Sequence, residues 1–191
     1  MNKEAVIVSG GTLDEEFVLS VLKEKEERFL IAVDKGLLFL HEHGICPDYI
    51  VGDFDSVAQE VIALYKEQKM IPIREFNPVK DATDTEIAIR LAIEFECQQI
   101  TILGGTGTRL DHVWGNVQSL KIAADAGVQA FLLDCHNRIR LLKKRVELRK
   151  TVLLANTSLY FLWERPFMNL ILVEQSIRLS IIHLLRMTVC V

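Results

Sequence analysis

Two aspartates one residue apart, Asp53 and Asp55, close a short apolar run and are followed by Ser56. In extended chain, alternate side chains project to the same side, so the two carboxylates converge. About 7 Å apart, they repel by ~2 kcal/mol at an effective dielectric near 20, a cost that a bound divalent cation removes. Oxygen-only ligands suit Mg²⁺ rather than zinc, and Mg²⁺ usually completes its shell with substrate phosphates and water. The plainer reading is that Asp55 or Ser56 caps the helix that follows. A second acidic cluster, Lys80-Asp81-Ala82-Thr83-Asp84-Thr85-Glu86, opens a stretch whose apolar face runs Ile87, Leu91 and Phe95. Thr83 and Glu86 fit a capping box. Asp81 and Asp84 are not explained by it: a helix start attracts anions, and carboxylates beside it make sense when a metal lies between them and a phosphate.

A third cluster, Gly104-Gly105-Thr106-Gly107-Thr108, is followed by Arg109, Asp111, His112 and Asn116. It lies where a backbone cradle for phosphate belongs, between a strand and a helix, yet it is neither of the standard nucleotide-loop patterns and a plain glycine turn remains open. Arg109 adds a side chain able to hold phosphate bidentately. Ser9 beside Gly10-Gly11 does not form a nucleophile elbow. Trp114, on the helix after the glycine cluster, reads as core or interface packing.

The elements that must position these clusters alternate. Short β-branched runs at 5–9, 29–33, 49–52, 71–74, 99–103 and 129–133 are separated by amphipathic stretches at 14–25, 35–42, 57–69, 83–94 and 111–126. Strands separated by helices cross over and lie largely parallel, so the expected fold is α/β, a mostly parallel sheet with helices on both faces. In such sheets ligands gather at the carboxyl ends of the strands, and the polar clusters fall there.

Composition narrows the function classes. The 191 residues are half apolar and a quarter charged with a formal charge of -4, which points away from nucleic acid and anionic membrane surfaces as partners. Four cysteines without metal-ligand spacing read as reduced thiols, and hence a cytoplasmic setting. The apolar stretch 169–191 is broken by Glu174, Arg178 and Arg186, so a membrane span is not expected.

The character of the chain changes near residue 142. Residues 1–142 carry 14 Lys+Arg against 23 Asp+Glu, whereas 143–191 carry 8 against 3, and neither Gly nor Asp occurs after Asp134. We therefore expect an α/β domain over 1–142, which holds the metal- and phosphate-type clusters and which the resemblance below makes the nucleotide- and metal-binding domain, and an atypical tail over 143–191.

In order, Asp34-Lys35-Gly36, Pro47-Asp48-Tyr49-Ile50-Val51-Gly52-Asp53-Phe54-Asp55-Ser56, Lys80 to Glu86 and Gly104 to His112 resemble the motifs of bacterial thiamine pyrophosphokinases. The resemblance implies Mg²⁺ on Asp53, Asp55 and Asp84, with ATP across the same loops, bordered by Asp34, Lys35, Gly36, Gly104, Gly105, Thr106 and His112. It implies that Lys80, Asp81, Thr83 and Thr85 orient the triphosphate, that Arg109 contacts phosphate, that Asp111 positions the attacking hydroxyl, and that Asn116 supports the pocket. The reaction implied is pyrophosphate transfer from ATP to thiamine. A non-catalytic ATP-binding remnant, or another metal-dependent phosphotransferase, would use the same loops. Family members continue into a β-sandwich that helps to bind thiamine and to form a dimer with active sites between subunits. That pattern is not recognisable after residue 142, as expected of a tail translated out of the ancestral frame or of a divergent element, and the homodimer is expected to be weakened or lost.

Overall fold

A computed structural model describes residues 3–25, 27–52, 59–68, 71–75 and 82–141, all within one unit of the chain. Six strands and five helices alternate: β1 (Glu4–Val8), α1 (Glu15–Glu24), β2 (Arg28–Val33), α2 (Lys35–Glu42), β3 (Tyr49–Gly52), α3 (Gln59–Gln68), β4 (Ile73–Glu75), α4 (Asp84–Glu94), β5 (Gln99–Leu103), α5 (Leu110–Asp125) and β6 (Gln129–Leu133). A two-residue strand, β7 (Arg138–Ile139), follows. The sheet order is β4-β3-β2-β1-β5-β6-β7, with every neighbour parallel except the β6–β7 pair. This is the parallel α/β architecture expected from the alternation; β7 was not anticipated.

Burial on both faces explains why the strands are continuously apolar. Ala5, Ile7, Ile31, Val33, Ile100 and Ile102 face α4 and α5, packing with Ile87, Leu91 and Leu120. The alternate residues Val6, Val8, Leu30, Ala32 and Leu103 face the other way, with Val18 and Leu22 of α1, Leu37 and Leu40 of α2 and Ile62 of α3. At the amino edge, Glu4 receives the Lys25 ammonium, Gln99 Nε2 at 2.8 Å and Thr101 Oγ1 at 3.0 Å. Burial opposes ionisation of Glu4, but these donors outweigh it and hold its carboxyl below the usual range. One side chain thus pins the register of β1 against β5.

Helix starts follow local chemistry. Asp14 accepts from the Phe17 amide at 2.9 Å, and Thr83 Oγ1 accepts from the Glu86 amide at 3.2 Å, so Thr83 caps α4 from just outside it. The sheet's centre carries the topological switch: from β1 the chain has built outward through β2, β3 and β4, and then returns to β5 on β1's other side. Ligand crevices form outside the carboxyl ends of two such neighbouring strands.

Candidate functional site at the carboxyl edge

The loop Ser9–Thr12, after β1, is the hub of this edge. Its backbone prolongs the pairing with β5 beyond the strands: the Ser9 amide donates to the Leu103 carbonyl, Gly11 to Gly104 and Thr12 to Thr106, each at 2.8 Å. The approach leaves no room for a side chain on Gly11, where a Cβ would lie 2.3 Å from the Gly104 oxygen and 2.4 Å from that of Thr106. Gly104 itself turns with φ +66°. The same loop touches α2, since a Cβ on Gly10 would meet Lys35 Cβ at 3.0 Å and one on Gly36 would meet the Val8 carbonyl oxygen at 1.9 Å. It reaches α4 through the buried Ser9 Oγ, 3.2 Å from Thr85 Oγ1. Three separate sequence clusters, 34–36, 83–85 and 104–106, therefore converge on one short loop.

The individual side chains divide by environment. Asp34, at the end of β2, adopts φ +47°, ψ −123°, a conformation costing on the order of 1–3 kcal/mol for a non-glycine residue and concentrated at functional sites. Its side chain does not cap α2. Lys35 and Thr83 are exposed, Asp84 is half-buried in the first turn of α4, and Thr85 is buried. The Thr85 hydroxyl faces Ser9, so it joins two elements in addition to any contact with ligand. Asn116 Nδ2 donates to the Gly105 carbonyl at 2.8 Å, tying α5 to the glycine loop. His112 is exposed.

Arg109 and Asp111 stand together in solvent, Arg109 Nη2 donating to Asp111 Oδ2 at 2.5 Å and Nε to Oδ1 at 3.3 Å. The guanidinium holds the Asp111 carboxyl below the usual carboxylate range. Exposed pairs contribute little, so an arriving phosphate can draw Arg109 away at small expense. Asp111, lowered in this way, is suited to accept a hydrogen bond rather than to remove a proton at neutral pH.

Asp53, Asp55, Lys80 and Asp81 lie outside the described residues, as does the tail 142–191 with the expectations attached to it. Among the described residues, no three His, Cys, Asp or Glu side chains converge as a metal cage. Of the three residues expected to hold Mg²⁺, Asp84 is the one described, in the first turn of α4, and a carboxylate suits a hard divalent cation.

Two features escaped the sequence reading. One is the hub role of Ser9–Thr12, whose glycines were visible but whose partners lie far along the chain. The other is Asp134, which accepts from the amides of His136 and Asn137, from Asn137 Nδ2 and from Thr106 Oγ1 at 2.8 Å. Burial works against its ionisation, but these donors prevail and hold its carboxyl below the usual range. The Asp-x-x-Asn sequence after β6 was the available signal for this turn. Trp114, expected as core or interface packing, is half exposed on α5, which removes the core alternative and leaves the interface one untouched.

Residues 22–132 match the family model for the thiamin pyrophosphokinase catalytic domain. The chain belongs to the thiamine pyrophosphokinase family. It is 34% identical over 117 residues to the thiamine pyrophosphokinase of Bacillus subtilis, a stretch covering 61% of this chain and 54% of that protein. The crystal structure of the Bacillus subtilis protein superposes with a TM-score of 0.62 at 30% identity, over 72% of this chain and 64% of that one. The thiamin pyrophosphokinase structure from Geobacillus thermodenitrificans gives 0.54 at 33% identity, over 66% and 58%. The chain spans about half the length of the Bacillus subtilis relative. Among the described residues, Cys46, Cys97 and Cys135 are free thiols and no helix is long and apolar enough to cross a membrane.

Proposed function

We propose that this chain binds Mg·ATP along the carboxyl edge of its sheet and transfers pyrophosphate to the primary hydroxyl of thiamine, giving thiamine diphosphate and AMP in the cytoplasm. The observation that carries this reading is the convergence of the 34–36, 83–85 and 104–106 clusters on Ser9–Thr12 at the switch point, in a chain of this family. Asp53, Asp55 and Asp84 would hold Mg²⁺, and Lys80, Asp81 and Thr83 would orient the triphosphate. The metal, when bound, supplies neutralisation of phosphate charge. The protein's own work is positioning, as phosphoryl-type transfer requires. Arg109 exchanges Asp111 for a phosphate oxygen, and the released Asp111 carboxylate accepts a hydrogen bond from the thiamine hydroxyl, aligning its oxygen. Asn116 keeps the Gly105 peptide in place during this exchange.

The purified chain with thiamine, Mg²⁺ and ATP should release AMP only when thiamine is present. ATP binding without AMP release supports a second reading, a nucleotide-binding remnant. That reading is favoured by the change of composition after residue 142. ADP or inorganic phosphate as product would reassign the chemistry to another phosphotransfer. For assembly, the corresponding proposal is that the family's homodimer is weakened or lost in this chain; sedimentation at micromolar concentration tests it, and a stable dimer would overturn it.

A further inference from the structure

Four polar side chains are buried among the described residues: Ser9, Thr85, Thr101 and Ser119. Two of them give their hydrogen to a protein acceptor, Thr101 to Glu4 Oε1 at 3.0 Å and Ser119 to the Asn116 carbonyl at 2.7 Å. The hydroxyls of Ser9 and Thr85 have only each other among the described residues, Oγ to Oγ1 at 3.2 Å. A hydroxyl brings one hydrogen, so the pair holds two and the bond between them uses one. The second is left over, and a buried donor without an acceptor is destabilising.

Packing alone does not require this pair. Alanine at position 9 and valine at position 85 have nearly the same shapes, and exchanging both partners of a buried hydrogen bond for apolar groups is close to neutral. The unused hydrogen therefore points to an acceptor that the described residues do not supply.

Location says which hydrogen it is and what accepts it. Ser9 is walled in at the loop hub: its amide is bound to the Leu103 carbonyl, and its own carbonyl oxygen stands 2.2 Å from where a Cβ on Gly104 would lie. Thr85 is the second residue of α4, in the turn whose amides have no acceptor inside the helix and where the helix dipole attracts an anion. The hydrogen left over is thus that of Thr85, and its acceptor is anionic. An oxygen that accepts a hydrogen bond also becomes a stronger donor, because the two bonds polarise one another. Without a donor from Ser9, a helical threonine turns its hydrogen back toward a carbonyl one turn earlier.

We propose that Ser9 is a positioning residue: its hydroxyl donates to Thr85 Oγ1 and so directs the Thr85 hydrogen toward a phosphate oxygen of the nucleotide at the start of α4. Ser9 itself touches no ligand. This deepens the Mg·ATP reading and rests on it.

The test is a double-mutant cycle on the full chain, with ATP affinity in the presence of Mg²⁺ read by calorimetry and urea midpoints measured beside it. Thr85→Val, which keeps the shape and removes the hydroxyl, should weaken ATP about tenfold, as for a lost hydrogen bond to a charged group. Ser9→Ala should weaken it by roughly threefold, the scale of a neutral hydrogen bond. In the Thr85→Val chain, Ser9→Ala should change the affinity no further, because Ser9 acts only through the Thr85 hydroxyl. Thr85→Ser, which returns that hydroxyl, should restore ATP binding. Parent-like ATP affinity in Ser9→Ala, whatever its urea midpoint, overturns the proposal and leaves Mg·ATP binding intact. A loss from Ser9→Ala that persists in full beside Thr85→Val does the same. Should Ser9→Ala not fold, Ser9→Cys, whose thiol donates only weakly, takes its place under the same two criteria. Absence of ATP binding by the parent chain overturns the Mg·ATP reading and this inference with it.

Discussion

Replacing Gly36 with alanine separates two explanations of a glycine that lies in the proposed nucleotide site. A Cβ at that position would stand 1.9 Å from the Val8 carbonyl oxygen and 2.6 Å from its carbon, where real Cβ atoms stay beyond 3.0 Å. Either the start of α2 or the end of β1 must give by roughly 1 Å, and both are backbone, so the strain falls toward the upper end of the ~1–3 kcal/mol typical of overpacking. Alanine recovers about 0.5–1 kcal/mol of helix propensity over glycine. The net loss is ~2 kcal/mol. For the 124 described residues with ~2.1 cal/mol/K of unfolding entropy each, that lowers Tm by roughly 8 °C. With a urea slope of about 2 kcal/mol/M, the midpoint moves down by ~1 M. Urea titration followed by circular dichroism, beside calorimetric ATP binding, reads both quantities. A Gly36→Ala chain that unfolds with the parent and yet no longer takes up ATP would refute this reasoning, because the missing side chain would then be making room for the ligand instead of for β1.

Asp84→Asn keeps size and removes charge from the start of α4; we expect Mg²⁺-dependent ATP binding to disappear with a urea midpoint close to the parent's, and unchanged binding would remove Asp84 from the metal site. Asn116→Ala deletes the donor to the Gly105 carbonyl, so stability should fall by about 1 kcal/mol and ATP should bind more weakly; unchanged ATP affinity would show that the glycine loop holds its shape unaided. Asp134 has its carboxyl held below the usual range in the folded chain, so its contribution is complete above the unfolded value of about 3.9 and is lost as pH falls through the lower folded value. Urea midpoints measured from pH 5 down to pH 2.5 should therefore decline more steeply for the parent than for Asp134→Asn, and parallel curves would contradict the network drawn around that side chain.

The architecture was legible because each element announces itself locally. Strands β3, β5 and β6 and helix α2 span the residues that the apolar periodicity indicates, since buried parallel strands read as continuous apolar runs and their helices as amphipathic ones. β7 was not legible: Arg138 and Ile139 offer two residues, no alternation, and a register fixed only by the turn at Asp134. The strand order was also hidden, because nothing in the alternation says on which side of β1 the chain will place β5. For the candidate site, the glycine and acidic clusters could be found by residue type and spacing, whereas the joint between Ser9 and Thr85 spans 76 residues and leaves no local trace.

The central pairing of β1 with β5 also has a bearing on how the chain acquires its shape. β1 finds β2 soon after synthesis begins, but its other edge must wait for a strand whose contacts with Glu4 close loops of 95 and 97 residues. At ribosomal rates of about 5–20 residues per second, that edge stays open for roughly 5–20 s. Loop closure over such separations is also slow to be rewarded, since the entropy is lost before the contacts form. The loops at the switch point are therefore among the last features to come together, and the proposed nucleotide site exists only in a chain whose sheet has already joined at its middle. A ligand present during refolding should accordingly leave the early kinetic phases untouched and draw the final one to completion.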